Sequence, residues 1–169
     1  MLRLKSLTQI ALCGALIALL SQLVLPLPAG VPMTLQTLGV AFCGFYLGRK
    51  KGLAAVLLYL LLGAVGLPVF SAFSGGIGRL LGPSGGFLWG FLLYVFLCGI
   101  NGSRWKRMAY GGCGLLLCHG AGVLWYAVSC KVEIGAAVLA ASLPTLWKDA
   151  ICLGAAYWTA QRLKRILKK

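Results

Sequence analysis

The sequence predicts an all-α integral membrane protein: six transmembrane helices, both termini cytoplasmic, and a Gly-rich outer loop between helices three and four. Three observations predict it. Of the 169 residues, 60% are hydrophobic and the mean hydropathy is +0.93. Only 11% are charged, against about 25% in soluble domains. The Lys and Arg residues, 16 in all, fall in short bursts between apolar runs. A soluble fold of this length still exposes about a third of the surface of its unfolded chain, so it cannot hide this much apolar area. Asp and Glu together number 2, which excludes most enzymes built on carboxylate pairs. The same composition excludes disordered chains, and the continuous apolar runs exclude outer-membrane barrels.

The elements follow in order. The first apolar segment runs from about Leu7 to Leu25, behind Arg3 and Lys5. It is long for the core of a signal peptide, and more spans follow, so it reads as an uncleaved first helix. Pro26, Pro28, Gly30 and Pro32 then break the chain in a tight hydrophobic connector. The second segment, Thr34 to Leu47, is short for a bilayer, about 21 Å of helix. Arg49-Lys50-Lys51 ends it, and Leu53 to Leu67 forms the third. Residues 68–86 form a Gly-rich stretch, followed by a fourth segment from Phe87 to Ile100. A basic turn at 101–107 leads into the fifth, Met108 to Ser129. After Lys131 and Glu133 come Ile134 to Leu143 and a sixth helix from Pro144 to about Gln161, Pro being favoured at a helix start. The whole chain reads as one membrane domain.

Orientation follows from charge. With six spans, one face collects Arg3, Lys5, the 49–51 triplet, Arg104, Lys106, Arg107 and the tail Arg162, Lys164, Arg165, Lys168 and Lys169. The other face holds Arg79 and Lys131. The excess of Lys and Arg marks the cytoplasmic side. The formal net charge of +14 is therefore a topology signal and implies no nucleic-acid partner; the bilayer is the partner it does imply. The cysteines, 7 in all, lie mostly within apolar runs and act as small hydrophobes. Cys113, Cys118 and His119 contain no C-x-x-C pair, so no metal site is expected there.

Three features exceed topology. Asp149 is the one carboxylate inside a span, and Lys148 precedes it. Intramembrane ionisable groups are costly and line cavities or pathways. Neighbours in sequence do not face each other on a helix, so no simple Lys148–Asp149 ion pair is expected. The Gly-rich stretch at 75–86 lacks the spacing of a phosphate-binding loop, so the chain does not itself hydrolyse ATP. Phe70, Phe73, Ile77, Leu80 and Leu81 stand among its glycines, where a solvated linker would be polar. This predicts a packed lid. Third, Ala11 and Ala15, with Gly14 and Ala18, place small residues four apart on the first helix, which lets another helix approach closely. A secondary transporter using Asp149 for protons, or a membrane enzyme, remains open on these features. Inverted repeats would support the first and are not seen; the second needs a cluster of reactive groups, whereas His119 stands apart from Asp149 in the sequence.

Val31-Pro-Met-Thr-Leu-Gln-Thr-Leu38, then Gly66-Leu-Pro-Val-Phe70, then Gly75-Gly76 with Gly82-Pro-Ser-Gly-Gly86, resemble the BioY family along nearly the whole chain. The resemblance implies a biotin-binding S component of an energy-coupling-factor transporter in the bacterial cell membrane. It implies no enzyme activity and no cofactor. The implied partners are a membrane-embedded coupling subunit, docked on Ala11, Gly14, Ala15 and Ala18, and a pair of cytoplasmic ATPases. The implied substrate contacts are Asp149, Lys148, Arg79, Gln36, Thr34, Ser74, Gly75, Gly76, Phe70, Phe73 and Trp125. The family's last helix carries Gly-Asp and then a Lys three residues on; here Lys148 stands at the Gly position and Cys152 at the Lys position. The residue after the second glycine pair is Phe87 where Tyr is usual. Lys148 or Arg79 is then left to supply the displaced cation.

Overall fold

The computed structural model describes residues 4–25 and 31–167. Pro26, Pro28 and Gly30 of the first connector, and Arg3, Lys168 and Lys169, lie outside the described residues. The chain is mostly helical: α1 (Leu4–Ser21), α2 (Gln36–Leu47), α3 (Arg49–Ala64), α4 (Ile77–Leu81), α5 (Gly85–Cys98), α6 (Arg104–Cys130), α7 (Ile134–Ala137) and α8 (Leu143–Ile166). A two-residue antiparallel ribbon, β1 (Val24–Leu25) on β2 (Met33–Thr34), pairs Val24 with Thr34 and Leu25 with Met33. Three helical stretches are long and apolar enough to cross a bilayer: Leu4–Ser21, Arg104–Cys130 and Ile134–Ile166. Gln36–Leu47 and Gly85–Cys98 are shorter and apolar.

Helices α5 and α6 pack most extensively, α2 lies along α8, and α1 lies against α3. Their common core holds Val40, Phe45, Val56, Tyr59, Tyr94 and Cys98, all nearly inaccessible. Apolar side chains such as Leu19, Leu61, Leu116 and Ile151 face outward instead, as expected of surfaces solvated by lipid.

Two boundaries differ from the sequence expectation. The basic triplet does not separate two helices; Arg49, Lys50 and Lys51 form the first turn of α3. The corner is made one residue earlier by Gly48, at φ 80, a left-handed conformation that only glycine adopts freely. Pro144 does stand in the first turn of α8, but no break precedes it, because the helical stretch Ile134–Ile166 is continuous there. Proline lacks an N–H and its ring crowds the preceding turn. The chain absorbs this with one π turn at Val138–Ser142, where the Leu143 N–H reaches back to the Val138 carbonyl. The Gly-rich stretch also contains structure of its own, a 3₁₀ turn at Ser71–Phe73 and the short α4.

Candidate functional site

A cavity of about 50 Å³ lies between the β2–α2 junction, the 70–84 connector, α5 and the first turns of α8. Its floor is a buried polar network. Asp149 on α8 is 3% exposed. Its Oδ1 accepts from the Thr37 hydroxyl on α2 at 2.5 Å and pairs with the Lys148 ammonium. Its Oδ2 faces His119 Nε2 on α6 at 3.2 Å. The other ring nitrogen, Nδ1, lies 2.8 Å from the Ser142 hydroxyl, so the ring bridges Asp149 and Ser142. The π turn is what brings Ser142 there, since it ends at that residue. π turns are frequent at functional sites for this kind of reason.

Lys148 and Asp149 are paired after all, against the expectation from helix geometry. The rule holds for short side chains; the four-carbon stem of Lys148 swings its ammonium back over Asp149. The same ammonium donates to the Thr34 carbonyl and lies 3.5 Å from the Thr37 hydroxyl. Beside it, Thr34 Oγ1 donates to Gln36 Oε1 at 3.0 Å, and the Gln36 amide donates to the Tyr59 hydroxyl on α3 at 2.5 Å. The wall is aromatic. Phe70, Phe87 and Phe91 line the cavity, and the Phe87 ring meets His119 edge-on at 5.7 Å between centroids. Phe87 and Phe70 seat where glycines leave room: a Cβ on Gly122 would lie 2.5 Å from the Phe87 ring, and one on Gly63 would lie 2.0 Å from the Phe70 ring.

The roof is the connector. Arg79 lines the cavity and, among the described residues, its guanidinium bonds only neutral oxygens, Ser74 Oγ at 2.8 Å and Ser71 Oγ and O at 3.2 and 3.4 Å. Backbone bonds tie the roof down, from Phe70 N–H to the Ser74 carbonyl and from Gly76 N–H to the Gly63 carbonyl. Side chains at the end of α1 also hold it: Ser21 donates to the Val69 carbonyl, and Gln22 bonds both the Phe70 carbonyl and the Phe73 N–H. Ala72 and Phe73 sit at φ 56 and 51, a left-handed conformation that costs residues with side chains about 1–2 kcal/mol each.

Of the eleven residues expected at the site, the structure brings Asp149, Lys148, Arg79, Gln36, Thr34 and Phe70 together. Ser74, Gly75 and Gly76 belong to the roof but do not line the cavity. Phe73 is 72% exposed. Trp125 does not line the cavity either; its indole N–H donates to the Gly82 carbonyl at 3.0 Å and clamps the connector to α6. Thr37, Tyr59, His119, Ser142 and Ser71 were not expected, although His119 as the sole histidine was the visible signal. On α1, Ala11 and Ala15 are exposed, whereas Gly14 is buried against Ala55 of α3 and Ala18 packs on the core.

The BioY family model matches residues 1–169. The chain belongs to the BioY family. It is 39% identical to the biotin transporter BioY of Thermotoga maritima over 83% of this chain and 85% of that one. It is 38% identical to the biotin transporter BioY2 of Lactococcus lactis subsp. cremoris, over 88% and 84%. Among solved structures it resembles the 2.1 Å crystal structure of the S-component for biotin from an ECF-type ABC transporter. The TM-score there is 0.87 and the identity 27%, over 95% of this chain and 91% of that chain. A BioY protein is a transporter component, not an enzyme. With its outward-facing apolar helices, this BioY chain is a multi-pass membrane protein.

Proposed function

We propose that the chain captures biotin in the cavity above Asp149 and delivers it across the bacterial plasma membrane. In this reading it has six spans with both termini cytoplasmic, as the basic clusters indicate. The observation that carries the substrate assignment is the polar floor beneath an aromatic wall. Small-molecule sites are mostly apolar with a few placed polar groups, and biotin needs this combination. Its ureido group presents N–H donors and a carbonyl, its thioether ring is apolar, and its tail ends in a carboxylate.

The two cations divide the work. Asp149 already takes three hydrogen bonds, and a carboxylate offers about four acceptor positions. It therefore accepts one ureido N–H at Oδ2, while Lys148, whose three donors meet Asp149, Thr34 and Thr37, exchanges its long bond to Thr37 for the ureido carbonyl. Lys148 balances Asp149 and stands in for the Lys that the family has where this chain has Cys152. Arg79 has only neutral partners among the described residues, which leaves its charge for the tail carboxylate. A water needs roughly 10–15 Å³ of such space, so 50 Å³ holds only a few waters. Entry of a bicyclic ligand requires the roof to lift.

Energy comes from elsewhere in this reading. A coupling subunit docks on the exposed Ala11 and Ala15, and a pair of ATPases drives it. Calorimetry on the detergent-purified chain should show tight biotin binding with no ATPase activity. Heat with another vitamin and none with biotin would overturn the substrate. Replacing Ala11 and Ala15 by Trp should leave binding intact and abolish uptake in cells that co-express the coupling subunits.

A further inference from the structure

The far end of the molecule carries a second recess. The first turn of α6 and the last turns of α8 enclose a groove of about 1090 Å³. Arg104, Arg162 and Arg165 stand along it, and Trp105 and Trp158 flank it. On α8 the lining positions recur with helical period from Gly154 through Tyr157 and Gln161 to Arg165, so one face of the helix runs from an apolar stretch into a cationic end. Most of the lining is carbon.

Among the described residues no carboxylate pairs with these arginines. Its acidic residues number 2. Asp149 is buried and paired with Lys148. Glu133 follows the opposite end of α6, whose 27 residues span roughly 40 Å. Arg162 is held over the Trp158 ring at 5.1 Å, which fixes its position without discharging it. The first N–H groups of α6 add the positive end of a helix dipole beside Arg104.

We infer that this groove is a binding site for an anionic phospholipid of the surrounding bilayer. The phosphate sits among Arg104, Arg162 and Arg165, and an acyl chain lies along Gly154 between the two tryptophans. Basic pockets between transmembrane helices bind lipid headgroups on these terms, and Trp is at home at headgroup depth. A soluble phosphate would match the arginines but would leave the apolar floor unused. The floor is open at Gly154, where an added Cβ would meet nothing within 4 Å. The site is independent of what the outer cavity holds.

The test uses the full chain in mild detergent, with phosphatidylglycerol and phosphatidylcholine offered together and retained lipid read by native mass spectrometry. The parent should retain phosphatidylglycerol in clear preference. Each Arg→Gln at 104, 162 or 165 should lower that retention about fivefold, the equivalent of one surface cation on an anionic leaflet. Gly154→Trp, which keeps every charge and has room to fold, should lower it as well. Monodisperse elution and unchanged helix content establish that each variant is folded. The proposal is overturned if the triple Arg variant retains phosphatidylglycerol like the parent. It is equally overturned if Gly154→Trp has no effect, since the attraction is then diffuse surface charge, or if glycerol 3-phosphate displaces the lipid, since the ligand is then a free phosphate. Loss of assembly with the coupling subunit in variants whose lipid retention is unchanged would make the face a protein contact instead and would also sink the proposal.

Discussion

The floor and the roof of the outer cavity are built by opposite means. The floor joins side chains from α2, α3, α6 and α8, which are buried and bonded to one another across long sequence separations. Removing any one member strands the rest in a low-dielectric interior, which makes such networks stiff. The roof is a single segment anchored by the buried Phe70 and Leu80; between them none of residues 72–79 is buried, and left-handed turns, local bonds and bonds to the end of α1 hold them. Segments with few buried contacts open at low cost. A capture protein needs both: a rigid surface that recognises the ligand, and a cover that opens without disturbing it. Substitutions in the floor should therefore change affinity most, and substitutions in the roof should act chiefly through access and local strain.

The largest effect is expected at Asp149. Asp149→Asn keeps the shape but removes the charge that balances Lys148 and the acceptor for the ureido N–H. A hydrogen bond to a charged group contributes about 1.5–3 kcal/mol, so biotin affinity should fall about 10- to 150-fold by calorimetry. Parental affinity in that variant would make the network purely structural. Arg79→Ala comes next. It should weaken biotin about tenfold and biotin amide hardly at all, because the amide tail is neutral. Equal weakening of both ligands would remove Arg79 from the carboxylate.

His119 tests whether the floor acts as a unit. His119→Leu deletes the donor to Asp149 Oδ2 without touching the ligand, and should cost about fivefold in biotin affinity. His119→Gln, whose amide still donates, should recover most of that loss. If Leu and Gln behave alike, the His119–Asp149 bond does not position the carboxylate.

The same contrast explains what could be read from the sequence. Asp149, Arg79 and the lid were legible because charge within an apolar run and glycine mixed with aromatics are local signals. So were the apolar segments, although their ends moved by a turn wherever a basic residue joined a helix, as at Arg49. His119 and Ser142 were not legible. Each lies in an apolar run, and they meet Asp149 only because α6 packs near α8 and a π turn rotates Ser142 inward. No periodicity reports that rotation. Lys148 was misread for a related reason, since helix spacing places its Cβ but says nothing of where a long flexible stem carries the charge. Trp125 was expected in the site as an aromatic substrate contact, yet its indole N–H donates to a carbonyl of the connector.

The smallest effect is expected in the roof, and two adjacent positions isolate it. Ala72 has φ 56, so Ala72→Gly relieves a left-handed side chain worth about 1–2 kcal/mol. The unfolded chain then gains freedom worth about 0.4–1 kcal/mol, which offsets about half of the relief. Gly76 has φ 94 with nothing within 4 Å of an added Cβ, so Gly76→Ala meets backbone strain alone and no clash. That glycine-only region costs about 1–3 kcal/mol, less about 0.4–1 kcal/mol because Ala restricts the unfolded chain, and each net kcal/mol lowers a melting temperature by roughly 2–4 °C at this chain length. Thermal unfolding of the ligand-free protein in one detergent should therefore leave Ala72→Gly at or up to about 4 °C above the parent and place Gly76→Ala below it by roughly 2 °C or more. The ordering matters more than either value. A drop for Ala72→Gly with none for Gly76→Ala would mean that the connector is not held in its left-handed turns, and that side-chain bonds from Gln22, Ser21, Arg79 and Trp125 secure the roof instead.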